Sequence, residues 1–361
     1  MSKTRVFYEA EKARQTTLIK DGFFGSSENG NGNFKGKPYP FVLQQKNNVF
    51  TNLYEPIRNK ALAYFSENKI DWWAGKLPTG HVLSSQIACV NYLMAIRKDP
   101  VAVLALINAV RTQFKEVLPI PCDTDESYIA FEAVSKSDHL NEDGPTRGSN
   151  CTSVDALVYA IDNNGEKWII PIEWKYTESY DDCNSADKSN EGITYKKETN
   201  PKKKPKGKVR LDRYSTLIKK SKQLRSVPTF VNGDDYELQG SIYFYEPFYQ
   251  LMRQTLWAEQ MIEHKDTEDI KADHYLHLHI IPSQDTDLLD KKYRQSKGNN
   301  LEDTWRACLV DQSKYVIVDP QHFISPVKDM YPDLWDYLSK RYFISGVPAS
   351  PPRFRKSSPR S

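Results

Sequence analysis

The sequence predicts an α/β fold, with a mixed central β-sheet flanked by helices. Three observations lead there. Apolar residues at helical spacing fill the first third of the chain, most clearly in VLSSQIACVNYLMAIR at 82–97. Two β-rich runs, SVDALVYAI at 153–161 and KWIIPIEWKY at 167–176, flank Asn163-Asn164-Gly165, a turn composition suited to an antiparallel hairpin. Beyond the hairpin, helical and strand patterns alternate, as in a sheet covered on both sides.

The elements follow in order. A polar helix opens the chain within 1–20, and GSSENGNGNFKGKP at 25–38 reads as a loop. Aromatics and charges take helical spacing over 49–68. The helix at 82–97 has Ser84 or Ser85 as its N-cap, and a second helix runs over 101–117 after Pro100. YIAFEAV at 128–134 reads as a strand, 137–150 as a loop. Pro171 inside the second hairpin run suggests an edge position or a bulge. A Lys-rich insertion at 181–208 precedes a helix at 209–224, a β-like run at 239–244 and an aromatic-rich helix at 246–263. HYLHLHIIP at 274–282 reads as a strand, 301–311 as a helix, KYVIVD at 314–319 as a strand and 330–342 as a helix.

Composition narrows the class. The 361 residues are 39% hydrophobic and 27% charged, as in a globular protein, and no apolar run is long enough to cross a membrane. The first residues, MSKTRVFYEAEKARQ, are too polar for a signal peptide, so a cytoplasmic protein is expected. Five scattered cysteines without a CxxC pair argue against a disulfide framework or a cysteine zinc site. The net charge of +3 is unevenly spread: eleven Lys/Arg against two acids lie between Lys196 and Lys220, and the tail from Gly346 adds four basic residues. Basic segments of this kind suit phosphates, although Lys-rich stretches also serve as solvated loops.

The hairpin carries the chemistry. Residues i and i+2 on a strand share a face, so Glu173 and Lys175 project together, and a suitable register brings Asp155 beside them. Two carboxylates suit Mg²⁺, which takes a few oxygen ligands plus water and phosphate. Lys175 would orient a water or offset charge developing on a phosphate. An Asp followed by Glu-x-Lys also arises by chance on charged surface strands. Here Asp155 interrupts an apolar run, where a carboxylate needs a partner, and Glu173 follows Trp168, Ile169, Ile170 and Ile172.

These residues resemble the core of the PD-(D/E)XK, or restriction-endonuclease-like, nuclease superfamily. More narrowly, Ser84-Ser85-Gln86 with Asn91, then Phe131-Glu132, then Ile172-Glu173-Trp174-Lys175-Tyr176-Thr177-Glu178 resemble in order and spacing a bacterial group of that superfamily. The similarity covers roughly 80–345. It implies a restriction-endonuclease-like domain at 81–345; composition adds the Lys-rich insertion at 181–208, an N-terminal extension, partly loop, at 1–80, and a disordered basic tail at 346–361. The resemblance implies metal-dependent phosphodiester hydrolysis, usually of DNA, with Asp155 and Glu173 as metal ligands, Mg²⁺ as the ion and Mn²⁺ as a substitute. Gln86 or Glu132 fills the place of a further acidic or amide residue, and Gln is the poorer metal ligand.

Some DNA-processing members carry a Gln-x-x-x-Tyr helix that touches substrate. Here Gln250 begins such a spacing, Gln254 stands where Tyr would, and Arg253 is a candidate phosphate contact or a plain surface arginine. Lys202, Lys203, Lys204 and Lys206 suit non-specific phosphate contacts. His274, His277 and His279 lack a matching His or Cys cluster and read as structural. The expected function is a DNA nuclease, with RNA left open, in restriction or anti-phage defence. It would act as a homodimer or beside a separate defence-system partner. The rivals are a DNA repair or recombination nuclease, a degenerate nuclease fold that only binds nucleic acid, and a protein in which Asp155 and Glu173 never meet.

Overall fold

A computed structural model describes residues 5–73, 75–121, 123–144, 147, 151–180, 206–226, 238–344 and 346–353. Helix α1 (Val6–Lys20) leads to a short hairpin, β1 (Gly32–Phe34) and β2 (Lys37–Tyr39), inside the stretch expected to be loop. Its two-residue turn, Lys35-Gly36, has positive φ at both positions, as a tight hairpin with the strand's own twist requires. Helices α2 (Arg58–Glu67), α3 (Ser85–Leu93) and α4 (Pro100–Val110) follow. Ser84 caps α3, accepting from the Ile87 N–H, and Asp99 caps α4 ahead of Pro100.

The helix expected over 101–117 stops at Val110, and Phe114–Leu118 forms strand β3. Asn108 ends it: its side-chain oxygen accepts from the N–H groups of Gln113 and Phe114, and its amide donates to the Phe114 carbonyl. The polar side chain thereby replaces the next helical turn.

Strand β4 (Ile129–Ala133) and the hairpin of β5 (Val154–Asp162) and β6 (Lys167–Trp174) appear where expected. Beyond them come α5 (Lys206–Lys220), α6 (Phe248–Glu263), β7 (His274–Tyr275), β8 (His277–Ile280), α7 (Thr286–Leu289), α8 (Leu301–Ala307), β9 (Tyr315–Val318), α9 (Pro320–Ile324) and α10 (Pro332–Tyr342). The β-like run at 239–244 forms instead two 3₁₀ turns, Leu238–Gly240 and Ile242–Phe244. Ile242, Tyr243 and Phe244 are all buried, without the alternation of a half-exposed strand, and Ser241 Oγ closes the first turn onto the Leu238 carbonyl.

The sheet is mixed, as expected. Its order is β3-β5-β6-β8-β9, with β4 extending the β5 edge and β7 the β6 edge. Pairing is antiparallel from β3 and β4 through β5 to β6, and parallel from β6 through β8 to β9. Pro171 is therefore in a central strand, neither at an edge nor in a bulge. The register with the third neighbour is the same on both sides of it, Ile169 with Tyr275 and Ile172 with Leu278. The interruption between β7 and β8 lies beside Pro171, whose missing N–H removes one ladder bond without shifting the strands.

Two apolar cores cover the sheet. Ala156, Val158, Ile170, Ile172 and Trp174 face one with α3 and α4, while Leu157, Tyr159 and Ile169 face the other with α6. Fully burying each such side chain contributes about 1.5–3 kcal/mol, so β5 and β6 are held firmly on both faces. Ile19, Phe24, Phe41, Leu53 and Phe65, from the first 80 residues, share the first core. Helix α1 is also pinned through Gln15, whose amide donates to the Tyr176 hydroxyl and the Arg341 carbonyl.

Candidate active site

The hairpin register brings the sequence-predicted residues together. Ala156 pairs with Ile172, so the next position across the ladder sets Asp155 against Glu173 on one face. On the other side of β5, Phe131 pairs with Ala156 and Ala133 with Val154, which sets Glu132 against Asp155. One row across the sheet thus holds Glu132, Asp155 and Glu173, and Lys175 follows Glu173 on the same face. All four line a cavity of about 370 Å³ together with Gln86 and Gln250.

Each carboxylate is held differently. Asp155 accepts from the Trp174 N–H at 2.6 Å. Glu132 accepts from Gln86 Nε2 and from Ser153 Oγ, both at 2.8 Å. Glu173, 2% exposed, accepts from Lys175 Nζ at 2.5 Å and from Gln254 Nε2. Lys175 also donates to Gln250 Oε1 at 2.7 Å. Gln250 and Gln254 stand one turn apart on α6, so one helix face holds the lysine and the carboxylate at once.

The electrostatics are those of crowded acids. Burial, then the charges of Glu173 and Glu132, push the Asp155 carboxyl well above the usual carboxylate range. Burial also raises Glu132, aided by Glu173 and opposed by the hydrogen bonds from Gln86 and Ser153. For Lys175, burial alone would lower the pKa, but the Glu173 carboxylate outweighs it, and the ammonium is held well above its ordinary range. Lys175 stays charged, while Asp155 and Glu132 repel one another and Glu173.

This donor set fits a hard divalent cation. Its ligands would be oxygen, its charge would relieve the repulsion, and two carboxylates suffice for Mg²⁺. Asp155 and Glu173 would be the pair to hold it, with Glu132 beside them. Among the described residues no group of three or more His, Cys, Asp or Glu is gathered as a metal cluster, and Glu173 and Glu132 are each turned onto hydrogen-bond donors.

Comparison with known families matches residues 14–343 to the family described as Restriction Endonuclease associating with ARP. The chain belongs to this family. Membership supports a nuclease and agrees with the restriction-endonuclease-like sheet. No curated protein and no solved structure matches.

The remaining expected residues of this family member fall in varied places. Gln86 positions Glu132 and is itself positioned, its oxygen accepting from the Trp73 N–H at 2.7 Å. Asn91 is a structural tie, binding the Tyr54 N–H, the Asn52 carbonyl and the Tyr342 hydroxyl. Arg253 does not line the cavity of the trio: it stacks 4.8 Å from the Tyr249 ring and reaches Thr152 Oγ1 at 3.4 Å. Lys206 begins α5, and Lys202, Lys203 and Lys204 lie outside the described residues. His274 pairs with Glu166 at 2.8 Å, whereas His277 and His279 are buried. The sequence reading noted the Gln250…Gln254 spacing as an imperfect match to a substrate-touching helix, but not that Gln250 holds Lys175 and Gln254 holds Glu173. No described helix is long and apolar enough to cross a membrane.

Proposed function

We propose that the protein is a divalent-metal-dependent nuclease that hydrolyses phosphodiester bonds of DNA, with restriction or anti-phage defence as its setting. The observation that carries this reading is the cross-strand juxtaposition of Asp155 and Glu173, with Lys175 bridging Glu173 and Gln250. Asp155 and Glu173 would hold Mg²⁺, or Mn²⁺ in its place. When bound, such an ion polarises a phosphoryl oxygen and makes a bound water more acidic. Lys175, charged at neutral pH, offsets negative charge that develops on the phosphate. Gln250 and Gln254 keep Lys175 and Glu173 oriented, while Gln86 and Ser153 hold Glu132 at the opposite wall. DNA is the proposed partner, with RNA as an alternative substrate. Cutting both strands with this one site calls for a homodimer or two binding events. A separate defence protein is a further proposed partner.

The test is cleavage of plasmid and linear DNA, and of RNA, by the purified protein with Mg²⁺, Mn²⁺ or EDTA, beside Asp155→Ala and Lys175→Ala. Metal-dependent cutting abolished in both variants is the expected result. Binding without cutting under every metal condition would replace the reading with a degenerate nuclease fold that only binds nucleic acid. Neither cutting nor binding would overturn it.

A further inference from the structure

Next to the catalytic cavity lies a second one of about 570 Å³, lined by Phe34, Lys35, Gln45, Trp73 and Leu77 among others. Pockets that hold drug-sized organic ligands run from about 300 to 1,000 Å³, so the space admits a planar heterocycle. Its wall is aromatic and open. Trp73 is 45% exposed and Leu77 53% exposed. The rings of Phe34 and Trp73 stack with centroids 5.2 Å apart. His81, itself buried, supports both from behind, at 4.8 Å from Phe34 and 5.6 Å from Trp73.

Three further features give this groove a polarity. Lys35 is exposed and its ammonium lies 5.3 Å from the Phe34 ring centroid. It occupies the first position of the hairpin turn with φ of 51°, a conformation that costs an L-residue energy and that Asn or Gly would adopt more easily. Gln45 lines the groove, and its buried Nε2 has no hydrogen-bond partner among the described residues. Trp73 also lines both the groove and the catalytic cavity, and its backbone N–H anchors Gln86, which anchors Glu132.

We propose that the Phe34–Trp73 platform is a subsite for an unpaired nucleobase of the strand being cut, with Lys35 on a neighbouring phosphate and Gln45 donating to the base edge. This rests on the nuclease reading, and it narrows the substrate to nucleic acid that is single-stranded or locally opened beside the scissile bond. Base–aromatic stacking tolerates any sequence, since every base has a π-face, while a single cation contributes salt-dependent affinity. An aromatic wall, a cation and an orphan donor together match a nucleotide better than an apolar peptide, which would leave Lys35 and Gln45 unused.

The experiment is fluorescence-anisotropy binding of labelled oligonucleotides to the Asp155→Ala protein, which keeps the strand intact. It is repeated with Trp73→Ala, Trp73→Phe and Lys35→Ala added, on single-stranded and fully paired DNA. The expected result is preference for single strands, weakened roughly 10- to 100-fold by Trp73→Ala. Trp73→Phe should retain most of the affinity, and Lys35→Ala should lessen its salt dependence. An abasic site placed at successive positions should reproduce the Trp73→Ala loss at one position, with no further loss in that variant. Equal binding of single-stranded and paired DNA, unaltered by Trp73→Ala, would overturn the subsite. That outcome leaves the nuclease reading to the separate cleavage assay. Binding with these signatures beside an absence of cleavage would sink the nuclease reading alone.

Discussion

Glu132 on β4 stands opposite Asp155 on the neighbouring strand β5, with its backbone in the left-handed region at φ of 48°. A non-glycine residue there carries a cost of about 1–2 kcal/mol, and the same residue adds a third buried carboxylate to the row. Strain and repulsion converge on one position, as expected where an arrangement serves chemistry rather than stability.

Neutralising either acid should therefore stabilise the metal-free protein. Glu132→Gln and Asp155→Asn keep a carbonyl oxygen for the existing donors and remove like-charge repulsion. Each should raise stability by about 0.5–2 kcal/mol while lowering cleavage by about 100-fold or more. Thermal melts in EDTA beside a cleavage assay measure both. Variants less stable than the parent would show that these acids hold the fold together rather than the site.

Metal binding should release protons. Burial and mutual repulsion raise the Asp155 and Glu132 carboxyls, so without a cation they hold protons at higher pH than free carboxylates do. A group whose folded pKa is raised favours the folded state at low pH and loses that contribution as pH rises. Metal requires the ionised form, so its affinity climbs with pH. The increase in melting temperature on adding Mg²⁺ should be larger at pH 8 than at pH 5. A pH-independent increase would place the ion elsewhere.

Much of this site was legible because strand geometry is local. The Glu-x-Lys spacing put Glu173 and Lys175 on one face, and the Asn163-Asn164-Gly165 turn announced the hairpin that set Asp155 against Glu173. What escaped depended on contacts between distant segments. Nothing local says that Asn108 will replace a helical turn, or that buried Ile242, Tyr243 and Phe244 will adopt 3₁₀ turns where their composition suggests a strand. Pro171 misled because its missing donor is absorbed at the break between β7 and β8, a gap visible only once the parallel neighbours are in place. Gln250 and Gln254 needed the docking of α6 over the hairpin, which periodicity alone does not orient.

Lys175 and Glu173 form a buried ion pair, with side chains 4% and 3% exposed. Removing one partner of such a pair typically costs about 3–5 kcal/mol, because the other charge stays buried alone. Lys175→Met should lose about that much in urea unfolding. The double variant Lys175→Met with Glu173→Gln should recover a good part of it. Equal losses in the single and double variants would show that lysine packing, rather than its charge, supports the strand.

His277 supplies the last prediction. It is 2% exposed, with Nε2 unpartnered among the described residues, and burial pushes its pKa down to about 4 even though Glu173 favours the charged form. An ordinary histidine titrates near 6.5, so between about pH 6.5 and 4 the unfolded chain binds a proton that the folded chain refuses. Stability is full above that window and falls as pH drops through it. His81, also pushed down to about 4 by burial and Lys35, and His279, lowered by burial and Lys175, act in the same direction. Urea unfolding at pH 7 and pH 5 should show the loss, and His277→Leu should make the pH dependence shallower by roughly one histidine's share. The imidazole of His277 should still be neutral at pH 5.5 by NMR. A ring still protonated above pH 6.5 would mean that Glu173 outweighs burial, and would reverse the sign of the His277 contribution.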